Sequence, residues 1–64
     1  MDFGEVTKTL EEGYNTMDKA LDLLIKACDL TADSPFTYRI ESVISDLENL
    51  RNDVFKIKYD LERV

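Results

Sequence analysis

Apolar residues recur through the second half of the chain at alternating steps of four and three: Phe36, Ile40, Val43, Leu47, Leu50, Val54, Ile57, Leu61 and Val64. No glycine or proline interrupts the run. A repeat averaging 3.5 residues draws one apolar stripe along a helix, and that stripe needs another helix to cover it. The first half carries a second such pattern: Phe3, Val6, Leu10, Gly13, Met17, Ala20, Leu24 and Ala27. In heptad letters, Phe3, Leu10, Met17 and Leu24 take a, while Val6, Gly13, Ala20 and Ala27 take d. Three successive d positions are therefore small. They form either a strip along which a neighbouring helix comes close, or ordinary helix-favouring alanines with an incidental glycine. Tyr14, Leu21 and Cys28 at e, with Leu23 and Leu30 at g, widen the apolar face in the second half of this helix. Such width is expected of a helix with two neighbours in a bundle.

Between the two patterns lies Thr31-Ala32-Asp33-Ser34-Pro35. Proline suits the first position of a helix and excludes the α region for the residue before it. Ser34 is thus the expected N-cap, its hydroxyl accepting from a first-turn amide. At the chain start, Asp2 and Glu5 stand at capping-box spacing. The expected fold is all-α: a single domain, 1–64, made of an antiparallel two-helix hairpin, with a helix over about 3–30, a loop over 31–34 and a helix over 35–63. A short loop between apolar helices favours the antiparallel arrangement.

Two helices alone hide one stripe of each, and both patterns are wider than that. A chain of 64 residues buries only about 60% of its unfolded surface as a monomer, so something must be added. One cysteine excludes an internal disulfide, and the absence of histidine argues against a structural zinc site. Pairing of two hairpins into a four-helix bundle is the expected solution. Its core would be Leu10, Met17, Ala20, Leu24, Ala27, Ile40, Val43, Leu47, Leu50, Val54, Ile57 and Leu61. The flanks of the second helix hold Arg39, Asp46, Asp53 and Asp60 at g and Ile44, Arg51 and Lys58 at e. In a parallel pair these would match Asp46 with Arg51 and Asp53 with Lys58; an antiparallel pair would tend to oppose like charges; beside the first helix alone they are a solvated margin.

Formal net charge is −6, with acids outnumbering bases 14 to 8. Attraction to nucleic acid or to an anionic membrane is disfavoured by that balance. The densest apolar run, residues 20–28, is broken by Asp22 and Lys26 and is too short to span a bilayer. No secretory signal is visible at the start, and a lone cysteine is compatible with a reducing compartment, so a cytoplasmic location is expected.

Catalytic chemistry has little to build on. Cys28 has no histidine to activate it and lies near the negative end of the first helix. Asp18, Asp22 and Glu11 share a face without a cleft, and two glycines cannot make a phosphate-binding loop. The expectation is a protein with no enzymatic activity, no cofactor and no metal. Outside the core stripe, Phe55 and Tyr59 form an i,i+4 aromatic pair, with Tyr38 at the same outer face near the turn. Aromatic pairs of this kind serve as anchors for a protein partner or extend a bundle.

Around the break, the sequence reads Leu23-Leu24-x-Lys26-x-x-x-Leu30-x-Ala32-Asp33, with Glu41-Ser42 beyond it. Covering the middle third of the chain, this resembles the Rop family of dimeric helical hairpins, small RNA-binding regulators. The resemblance implies a dimeric bundle with like helices antiparallel, and RNA contact through the first helix. Lys26 is the residue that matches a contact position of the family; Asn15 stands where the family has an aromatic, with Tyr14 adjoining. Two functions follow as expectations: a self-associating module that binds another protein through Phe55, Tyr59 and Tyr38, or an RNA binder acting through Lys26 and its neighbours.

Overall fold

The computed structural model describes residues 3–32 and 34–63. The Asp2 cap, Asp33 and the Val64 end of the second stripe lie outside the described residues. Among the described residues there are two helices of 28 residues each, α1 (Phe3–Leu30) and α2 (Pro35–Glu62). They lie antiparallel in a rod with extents of 48 × 14 × 13 Å.

The turn is built as its residue types require. Ser34 sits in extended backbone (φ −104°, ψ 160°), and its Oγ accepts from the Phe36 amide at 3.3 Å. Pro35 follows as the first helical residue, where its missing N–H costs nothing. Closing α1, the Thr31 amide donates to the Ala27 and Cys28 carbonyls at 3.2 and 3.1 Å, and the Ala32 amide to Asp29 at 3.3 Å. Threonines latch the turn from both sides. Thr37 Oγ1 donates to the Thr31 carbonyl at 2.6 Å, and Thr31 Oγ1 to the Cys28 carbonyl at 3.0 Å. Both hydroxyls are part-buried, so these bonds replace water in a shielded place.

Register follows from three cross-helix contacts: Asp18 with Arg51, Tyr14 with Phe55, and Cys28 with Glu41. In each pair the residue numbers add to 69, so residues obeying that rule sit level along the rod. On α2 the covered line is Thr37, Ile40, Ile44, Leu47, Arg51, Val54, Lys58 and Leu61. On α1 the most covered residue is Leu21, at 4% exposure, with Leu10, Tyr14, Met17, Leu24 and Cys28 partly covered beside it. On α2 these are positions a and e; on α1 the d residues Val6, Ala20 and Ala27 are partly covered as well. The sequence pattern points to a and d; within one chain, the d residues of α2 stay outside.

Candidate functional site

A hairpin packed through a and e has two unlike flanks. Viewed along the rod, the d and g positions of both antiparallel helices fall on one side, and the b positions on the other. The contacts agree. Asp18, Glu41 and Phe55, all at b, meet the e-position side chains Arg51, Cys28 and Tyr14 on the same flank.

That b flank holds a small polar-aromatic cluster. The Arg51 guanidinium donates to Asp18 and lies 5.6 Å from the centre of the Tyr14 ring. Tyr14 in turn meets Phe55, ring centres 6.0 Å apart and tilted by 51°. The hydrogen bond to Asp18 raises the Arg51 pKa above its ordinary value. Arg51 Nε is shielded and lacks a hydrogen-bond partner. Nothing in the sequence flagged this group, because it depends on register across two helices. Phe55 remains about half exposed, as does Tyr59 one turn further on, with Arg63 5.5 Å from the Tyr59 ring. Phe55, Lys56, Tyr59 and Asp60 border a shallow recess. Tyr38 is not part of it: it lies at the turn end beside Ser34, Thr37 and Glu41, and is 77% exposed. The expected three-residue patch is thus a pair and a distant single residue.

The opposite flank is apolar. Phe36, Val43, Leu50 and Ile57, the d row of α2, are between 51 and 59% exposed. Near the turn a groove is bounded by Leu24, Thr31, Phe36, Arg39, Ile40 and Val43. Level with that row lie the small d residues of α1: Ala27 beside Val43, Ala20 beside Leu50, Gly13 beside Ile57. A Cβ placed on Gly13 would touch nothing within 4 Å. Of the expected core, Leu10, Met17, Leu24, Ile40, Leu47, Val54 and Leu61 meet inside the hairpin, while Val43, Leu50 and Ile57 face outward with Ala20 and Ala27 at their side.

Arg51 and Lys58, the bases that a parallel pairing would match with Asp46 and Asp53 of a second copy, are engaged elsewhere. Arg51 is bound to Asp18, and Lys58 lies 3.4 Å from Glu62.

Cys28 Sγ lies 3.9 Å from the Thr37 carbonyl and 4.0 Å from Glu41. Burial, then the charges of Glu41 and Asp29, push its thiol pKa up, the reverse of activation. Among the described residues, no group of three or more acids or cysteines is placed to hold a metal ion. No described helix is long and apolar enough to cross a membrane. Lys8, Lys19 and Lys26 on α1 are exposed, with Asp22 between the last two. Comparison with known protein families, curated sequences and solved structures finds no match to this chain.

Proposed function

We propose that this chain is a non-enzymatic, cytoplasmic interaction module: a helical hairpin that pairs with its own copy and binds another protein as a small regulator, inhibitor or adaptor. One observation carries the reading. The hairpin exposes 5097 Å², whereas a compact protein of its 7.4 kDa mass exposes about 4200 Å². Leu21, at 4% exposure, is the one buried apolar side chain among the described residues. A chain so thinly covered gains from association what it lacks in a core. The apolar flank serves the copy, and the half-exposed Phe55 and Tyr59 on the other side serve the second partner.

Molar mass by sedimentation equilibrium across a hundredfold range of concentration tests the first half. A shift from one chain to two supports self-association; a single-chain mass throughout, with cooperative melting, overturns it. For the second half, affinity capture is compared between the parent chain and a Phe55→Ala/Tyr59→Ala variant of the same mass in solution. Loss of a protein retained by the parent supports the aromatic patch. Unchanged capture overturns the patch; salt-sensitive retention of structured RNA that fails on Lys26→Ala replaces it with a Rop-like role.

A further inference from the structure

One flank of the rod gathers most of the exposed apolar side chains. Six of the eleven exposed large apolar residues lie on it: Leu23, Leu30, Phe36, Val43, Leu50 and Ile57. We propose that a second copy covers this flank with its turn at the same end of the rod, so that α2 of each chain lies over α1 of the other. The inference rests on the self-association proposed above and adds which helices meet.

Two face-to-face arrangements are possible for a symmetric pair, and both make all neighbours antiparallel. With the two-fold axis across the rod, turns lie at opposite ends and each helix meets its own copy. With the axis along the rod, turns lie together and unlike helices meet. Size separates them. In the same-end pair, levels are preserved, so Val43, Leu50 and Ile57 descend on the partner's Ala27, Ala20 and Gly13. Large residues then fill the space left by small ones at every layer, as close packing requires. In the opposite-end pair Leu50 meets Leu50 of the partner subunit and small residues face small, leaving one pair of helices wedged apart and the other with little to touch.

Charge is close to neutral in the choice between them. The g row of α2, Arg39, Asp46, Asp53 and Asp60, borders this flank. With the two-fold axis across the rod and the rods fully overlapped, Asp46 of each chain would face the partner subunit's Asp53 and Arg39 would face the partner subunit's Asp60, each twice per dimer. The like pairs destabilise and the opposite pairs stabilise by similar amounts, so the two nearly cancel. In the same-end pair the same row lies over the partner's Leu30, Leu23, Thr16 and Thr9, none of which is charged. Leu23 and Leu30, otherwise unexplained at 68 and 82% exposure, become the outer wall against the partner's Val43.

Two such hairpins expose enough surface between them for a stable pair. A dimer as compact as its mass predicts would bury about 3200 Å² in total, within the range of obligate homodimer interfaces.

Pulsed dipolar spectroscopy on a single spin label decides the orientation. Cys28→Ser removes the native thiol and Ala32→Cys places a label at the turn; a second variant carries Glu62→Cys at the other end. Same-end pairing predicts label distances below about 25 Å at both sites, set by interaxial spacings of 8–10 Å. Distances of about 40–45 Å, the length of a helix this long, would overturn the orientation while leaving a dimer in place. A single-chain mass at every concentration would overturn both this inference and the self-association beneath it. The parent with Asp46→Asn and Asp53→Asn gives an independent readout. Dimer affinity within about twofold of the parent supports the same-end pair; tightening by fivefold or more overturns it.

Discussion

Gly13 is the residue whose environment is easiest to test. It lies inside α1 with nothing near the position a Cβ would take. Two heptad relatives, Ala20 and Ala27, already carry that Cβ on the same flank. Gly13→Ala should therefore stabilise the single hairpin, read in dilute solution, by about 0.5–1 kcal/mol through reduced backbone entropy of the unfolded chain. Thermal melting at fixed concentration, followed by circular dichroism, reads the gain as a rise of a few degrees. Cys28 makes the complementary case. Its thiol holds its proton beyond the ordinary value of 9.0, because of burial first and of Glu41 and Asp29 after that. As pH rises through that value, the unfolded chain loses the proton before the hairpin does, so stability present below it declines. Alkylation at pH 8 should run several-fold slower for the folded chain than in denaturant; equal rates would show Cys28 to be unshielded.

At the scale of elements, the turn carries the specificity. Ser34 accepts from Phe36, Pro35 begins α2, and Thr31 with Thr37 ties the two helix ends together. Ser34→Ala should lower stability by about 1 kcal/mol, the usual loss of an N-cap, in equilibrium urea unfolding with an unchanged m-value. Both helices and this turn were legible in the chain, since Pro35 and the 3.5-residue repeats are local signals. The split between a, d and e was not. An apolar stripe tells that a helix is covered, without telling which neighbour covers which edge. Leu21 at e is the deepest residue, while Leu50 at d is exposed, though both belong to equally apolar patterns. Likewise, Arg51 and Asp18 are 33 residues apart, and only the fixed register of two helices brings them together.

For the molecule as a whole, two leucines distinguish hairpin from assembly. Leu21→Ala removes the best-covered side chain and should cost about 2–4 kcal/mol at any protein concentration. Leu50→Ala leaves the inside of the hairpin intact. On the proposed pairing it weakens association by tenfold or more, so its melting temperature falls most in dilute solution. Sedimentation at two concentrations beside the melts checks both expectations. Equal, concentration-independent losses would place the two side chains in the same environment and count against a covered apolar flank.

A connection of so few residues also shapes how the chain reaches this state. Contacts nearest the bend are separated by little sequence, so the rod can close like a zip from that point, in microseconds to milliseconds. Encounter with a second rod is diffusive and slower at micromolar dilution. Stopped-flow refolding should accordingly show an early phase indifferent to protein concentration and a later one that quickens in proportion to it.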